Sequence, residues 1–191
     1  MGALNMGAYH ILLVHFPLSL WTTAVLVIAI RAFSNGAFAQ ACDRVLAPLL
    51  LWGTIMGALA YIVGFFVWPL PAISATPLGR NHLLAGSWAL AYWALLWITR
   101  ARLGETVWEG GNRWIMLGLG ALGGILLTVT GALGGHLLGA PSAVSKLFGL
   151  LGWEVYTTFY VPNFMLVLLV LATIALIGLG VAGRARRMVR R

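Results

Sequence analysis

The sequence predicts an all-α integral membrane protein: a bundle of five transmembrane helices, N-terminus outside and C-terminus cytoplasmic. Three observations predict it. The 191 residues are 61% hydrophobic and 8% charged, with a mean hydropathy of +0.96; a water-soluble domain carries about a quarter charged residues. Five apolar runs are long enough to span ~30 Å of hydrocarbon, which takes about 20 helical residues. Ten of the twelve basic residues fall on one side of those runs.

The runs lie at about 9–32, 44–69, 81–101, 112–138 and 159–183, and form one domain over 1–191. Turn-forming residues separate them. Ser34-Asn35-Gly36 follows the first run. Pro69, Pro71, Pro77 and Gly79 divide the second from the third. Gly104 and Gly110-Gly111 divide the third from the fourth, and Gly139 and Pro141 end the fourth. Residues 149–158 suit a short interfacial helix, with Trp153 and Tyr156 at headgroup level. No internal repeat or low-complexity tract stands out.

Orientation follows from the excess of Lys and Arg on the cytoplasmic side. Arg31 and Arg44 lie in the first loop, and Arg100, Arg102 and Arg113 around the third. Arg184, Arg186, Arg187, Arg190 and Arg191 form the tail; only Arg80 and Lys146 lie opposite. Ala37-Phe38-Ala39 resembles a signal-peptide cleavage site. However, no positive charge precedes the first run and Arg31 follows it, the reverse of a secretory signal.

Composition excludes several functions. The single Cys42 rules out an intramolecular disulfide, a CxxC redox pair, a Cys-based zinc site and covalent haem attachment. The net charge of +8 is accounted for by topology and does not point to nucleic acid. Catalytic acid–base equipment is missing: Glu154 is the lone outer carboxylate, and no Ser/His/Asp set stands at a recognisable spacing.

The candidate chemistry lies in four histidines, His10, His15, His82 and His136. His10 and His15 fall in the first turns of the first span, His82 opens the third and His136 closes the fourth. All four therefore share the outer third of the bilayer. A buried imidazole there is costly without a partner, so the layer suggests a metal or haem. His15, in VHFP, and His136, after Gly134-Gly135, are the deepest and the strongest candidates. His10 and His82 suit headgroups equally well. Five residues of helix turn about 140° net, so His10 and His15 face different neighbours; that fits two cofactors flanking the first helix.

Other residues bear on the same layer. Gly131, Gly134 and Gly135 leave room for a flat macrocycle beside His136, or serve close helix packing together with Gly120 and Gly124. Arg80 suits a haem propionate, Glu154 or a lipid phosphate. Thr128 and Thr130 suit bonds to helix carbonyls or to a cofactor edge. Trp68, Trp108, Trp114 and Trp153 are expected at interfaces, and Trp52, Trp88, Trp93 and Trp97 within spans.

His10-Ile11-Leu12-Leu13-Val14-His15-Phe16-Pro17, His82 in RNHLLAG, and Gly134-Gly135 together resemble the DUF2231 family of small bacterial membrane proteins. That family carries H-P-x-x-V-H-F-P near its first helix start, a His opening its third helix and Gly-Gly closing its fourth. Ile11 stands where the family usually has Pro. His136 follows the glycine pair directly, where the family has an acidic residue and a later His. The resemblance covers about residues 9–140 and makes the fifth helix an addition. It implies a multi-pass protein of the bacterial inner membrane, with a histidine pattern suggestive of a haem-binding redox protein.

The expected function is that of a b-type cytochrome. It holds one or two haem b groups near the periplasmic face through His10, His15, His82 and His136. It exchanges electrons with a periplasmic electron-transfer protein, a quinol or a larger oxidoreductase complex. Two rivals stand beside it. One is a copper- or zinc-binding or transport protein, since imidazole suits both metals, although Met56 and Met116 are isolated. The other is a structural subunit of a membrane complex, which binds nothing.

Overall fold

The computed structural model describes residues 6–158 and the helical residues Val167, Val170, Leu171 and Ile174. The predicted fifth span and basic tail otherwise lie outside the described residues. The described chain is all-helical, and four helical stretches are long and apolar enough to cross a membrane: Met6–Phe33, Ala37–Val67, Pro77–Trp108 and Asn112–Leu137. Their outward side chains, such as Leu26, Ile62, Leu95 and Ile125, are apolar and exposed, as contact with lipid requires.

Helix α1 (Met6–Phe33) carries Pro17 in its interior and is followed by the short α2 (Ala37–Asp43). Helix α3 (Leu46–Val67) stops where Trp68 turns extended, the conformation favoured just before a proline, here Pro69. A single turn, α4 (Leu70–Ile73), leads to α5 (Pro77–Leu103). The start of α5 is well specified: Thr76 accepts the Gly79 N–H at 3.1 Å, and Pro77 occupies the first helical position. Gly104, at φ +55°, ends α5 and opens a 3-10 turn over Gly104–Trp108. Helix α6 (Asn112–Leu137) and helix α7 (Ala143–Leu150) complete the described elements. The interfacial helix expected at 149–158 lies earlier in the chain, as α7. Gly152, at φ +75°, stops it, and the Trp153 N–H reaches back to the Phe148 carbonyl at 2.8 Å, a glycine-terminated helix end.

The four long helices close a ring in the order α1, α3, α5, α6. Helices α1 and α5 therefore face each other across the bundle, as do α3 and α6. The packing discloses a repeat that was not evident by eye in the sequence. His82 follows His10 by 72 positions, and Trp93 follows Trp21 by the same 72. Buried Pro17, Trp21, Ala24 and Ile28 of α1 correspond in this way to buried Ala89, Trp93, Leu96 and Arg100 of α5. On the second helices the shift is 70: Leu46, Leu50 and Gly53 correspond to Met116, Gly120 and Gly123, all buried. The chain repeats a two-helix unit, and these recurring positions face the bundle interior in both copies.

At mid-bundle Trp21 and Trp93 stack across the ring, with centroids 5.2 Å apart and planes 8° from parallel. Each indole lies in a notch on the next helix. A Cβ on Gly57 would come within 2.9 Å of Trp21, and one on Gly123 within 2.7 Å of Trp93. Small residues on α3 and α6 thus permit close approach. The Gly-rich α6 also meets α1, where a Cβ on Gly120 would crowd Ile28 and one on Gly124 would touch Val25.

The end of the bundle away from the histidines is tied by charge. Arg100 is buried and grips buried Asp43 through Nη2 at 2.6 Å and Nε at 3.3 Å. Its Nη2 also reaches Glu105 at 3.1 Å, and Glu105 bonds Arg31 at 3.4 Å. The Arg31 guanidinium sits 5.5 Å from the ring centre of Trp108. Each half of the chain thus offers a carboxylate to the other half's arginine. Arg31 and Arg100, which charge counting treats as topological markers, form this clasp. Trp108, expected at the lipid interface, is buried beneath it.

Because Arg100 and Asp43 are both buried, removing one leaves the other charge unpaired, at a cost of about 3–5 kcal/mol. Arg100→Met is expected to destabilise by that amount. Glu105→Gln, at a carboxylate whose side chain is 67% exposed, is expected to cost about 1 kcal/mol or less. Denaturant unfolding in detergent micelles measures both, and equal losses would contradict the buried-pair assignment.

Candidate functional site

Two of the four histidines meet. His10 of α1 and His82 of α5 line one cleft at the histidine end, with Tyr61, Gly64 and Phe65 of α3, with Trp68 just past its end, and with Gly86 of α5. The cleft offers about 50 Å³ to water-sized groups. Its two imidazoles come from opposite corners of the ring.

Each imidazole is held in the same way. His10 Nδ1 lies 2.9 Å from the carbonyl oxygen of Ala60 on α3. His82 Nδ1 lies 3.2 Å from that of Thr130 on α6. A carbonyl oxygen only accepts, so in both rings Nδ1 carries the proton. In the neutral ring Nε2 then carries the lone pair. Four residues beyond each carbonyl stands a glycine. A Cβ on Gly64 would lie 3.1 Å from His10 Cε1, and one on Gly134 would lie 3.2 Å from His82 Cε1. Ala60 and Gly64 correspond to Thr130 and Gly134 under the 70-residue shift, so all four long helices build a matched pair of sites.

Tyr61 closes one wall. Ser87 Oγ donates to the Leu83 carbonyl at 2.8 Å, so the Tyr61 hydroxyl, 2.6 Å away, donates to Ser87. The Tyr61 ring stacks edge-on against Phe65. These bonds link α3 to α5 beside the cleft.

The other predicted residues lie elsewhere. His15 is exposed on α1, and its Nδ1 donates to the Ile11 carbonyl one turn back, at 2.6 Å. His136 bonds the Tyr156 hydroxyl through Nδ1 at 2.8 Å, with the rings edge-to-face; its Nε2 is buried without a partner. Neither lines the cleft. Gly131 faces open space, and a Cβ placed there would meet nothing within 4 Å, whereas one on Gly135 would lie 2.9 Å from the Ala140 carbonyl oxygen. Gly135 therefore serves the end of α6. Arg80 is half-buried in the first turn of α5 and does not line the cleft. Thr128 and Thr130 donate to helix carbonyls of Gly124 and Leu126, each at 2.8 Å. Ala60 and Gly64 carry no polar side chain, and neither they nor Trp21 gave a functional signal in the sequence.

Among the described residues no group of three or more His, Cys, Asp or Glu is placed to hold a metal ion. What the cleft supplies is a pair of imidazoles whose Nδ1 atoms are fixed by backbone carbonyls. Metal-ligating histidines are oriented by this kind of outer bond, which also raises their basicity.

The hydrogen bonds make a direct prediction. When their rings are uncharged, His10 and His82 are expected in the Nδ1–H tautomer. Side-chain 15N NMR of histidine-labelled protein, assigned by single-histidine variants, checks this; an Nε2–H signal from either residue would overturn it. Comparison of the chain with protein-family models, with curated proteins and with solved structures gives no match.

Proposed function

We propose that the protein is a b-type cytochrome-like electron-transfer protein that holds one haem b between His10 and His82. One observation carries the reading: two imidazoles from opposite helices, each with Nδ1–H bonded to a backbone carbonyl and Nε2 left as donor. His10 and His82 would hold the iron of such a haem through Nε2, since imidazole is a haem ligand. The walls suit a macrocycle in character but not in size: the cleft, about 50 Å³, would have to widen to admit it. They are apolar or aromatic at Tyr61, Phe65 and Trp68, and Gly64 and Gly86 line them without side-chain bulk. Haem ligated by two imidazoles exchanges single electrons and leaves no open coordination position.

The protein's own residues hold, orient and insulate. Ala60 and Thr130 fix the ring tautomers. The Trp21–Trp93 stack closes the bundle axis below the site, and the Arg–carboxylate clasp closes its far end. That closure favours a held group over an ion passed through the bundle. With the arginine end cytoplasmic, as the charge distribution indicates, the site lies near the periplasmic face of a bacterial inner membrane. Its partners are then a periplasmic electron-transfer protein, a quinol or a larger oxidoreductase complex. The span at 159–183 is the fifth crossing in this reading.

A second reading is favoured by the size of the cleft. About 50 Å³ admits a bare copper or zinc ion without movement of the helices. Imidazole suits either metal.

Purified protein is expected to be red, with a Soret band, one haem per chain and a low-spin ferric spectrum. His10→Ala and His82→Ala should each lose the haem or open the iron to carbon monoxide. His15→Ala and His136→Ala should keep the wild-type spectrum. A colourless preparation with one copper or zinc per chain would replace haem with the ion. A preparation binding neither would leave a structural subunit. For orientation, a C-terminal reporter that works only after export should stay inactive; activity would reverse the topology.

A further inference from the structure

We infer that Gly64 and Gly134 are positioning residues, the matched halves of one imidazole-holding device built twice, and that they set the angle of each ligand ring. The inference deepens the proposed site and rests on that reading for its spectroscopic arm only.

The reason is geometric. In an α-helix the carbonyl of residue i points along the axis toward residue i+4. A donor reaching that oxygen from outside must pass over the Cα of residue i+4. A side chain there stands in the way. Ala60 and Gly64 hold His10 in this arrangement, and Thr130 and Gly134 hold His82. In both cases Cε1 is the ring atom nearest the missing Cβ, at 3.1 and 3.2 Å, and Nε2 is 3.9 Å from it. A methyl group at either position would therefore turn the ring by moving Cε1 a few tenths of an ångström. The carbonyl bond would bend, and the Nε2 lone pair would swing with it. The side chain of Thr130 takes no part, since its hydroxyl is turned to Leu126.

The test uses the full-length protein with Gly64→Ala, Gly134→Ala and, as control, Gly131→Ala, whose new methyl would meet nothing within 4 Å. Alanine favours helix over glycine, so unfolding is not the expected failure. In the haem-independent arm, Gly64→Ala should shift the 15N resonances of His10 and leave those of His82. Gly134→Ala should do the converse, and Gly131→Ala should shift neither. In the spectroscopic arm, both active variants should keep one haem per chain. The largest g value of the ferric signal and the midpoint potential should move in the same direction in both, because the two sites are equivalent. Unmoved histidine resonances, or a methyl group that disturbs both rings alike, would overturn the inference. So would movement in one variant alone. If the wild-type protein lacks a haem signal while the resonances move as described, the haem reading fails and the positioning role stands.

Discussion

In a bundle surrounded by lipid, a polar side chain must find its partner inside the protein. Both cleft imidazoles find theirs in a helix carbonyl, and that choice constrains much of the structure. The carbonyl is reached only where the residue one turn on lacks a side chain. The helix bearing it must also approach closely. Gly64 on α3 and Gly134 on α6 supply the opening for the rings; Gly53, Gly57 and Gly123, deeper on the same helices, supply the approach at the level of the indoles. The helices are thus brought together twice along their length, once on imidazole and once on tryptophan.

The two-helix repeat accounts for the match between the halves. A repeated unit that offers one histidine from its first helix and one carbonyl from its second makes one complete pair of donors when two units face each other. Each imidazole is held within its own unit, and closure of the four-helix ring brings the two rings to one cleft. The clasp at the other end crosses between units instead, with Asp43 serving Arg100 and Glu105 serving Arg31. Exchange of partners there ties the units together without any covalent constraint beyond the chain itself.

The helical class and the first four spans were legible because apolar run length and turn residues fix them directly. The bounds 9–32 and 112–138 fall within three residues of α1 and α6. The separation of His10 from His15 was also legible, since helix geometry alone sends them to different sides. Which histidine faces inward was not. Depth along a helix follows from its ends, but azimuth depends on the neighbours it packs against. The repeat was hidden for a related reason. Few positions keep their identity, and those that do are scattered, so His, Trp and Gly recur within unrelated stretches. The sequence did contain the small-residue pairs Ala60–Gly64 and Thr130–Gly134. They were indistinguishable from ordinary packing pairs until the rings were seen against them. Asp43 and Glu105 were overlooked because counting Lys and Arg by side does not ask what the carboxylates bond.

The places where the repeat breaks are as informative as those where it holds. Under the same shifts His15 corresponds to Ser87, His136 to Phe66, and Tyr61 to Gly131. None of these pairs is alike, whereas the two imidazoles, their carbonyls and their glycines are matched. Selection for a symmetric pair of donors explains the first set only if both donors serve one group on the bundle axis; two independent groups would each need a second donor of their own. His15 and His136 lack counterparts, and their rings are committed to Ile11 and Tyr156. In the proposed reading the matched set would serve a single bound group, held alike on its two sides. The Tyr61–Ser87 bond seals the α3–α5 side, whereas the corresponding residue on α6, Gly131, faces open space away from the cleft. A group held between two like imidazoles and unlike walls would have a direction built into it. In the proposed reading, that inequality and not the ligands would distinguish the side from which an electron arrives.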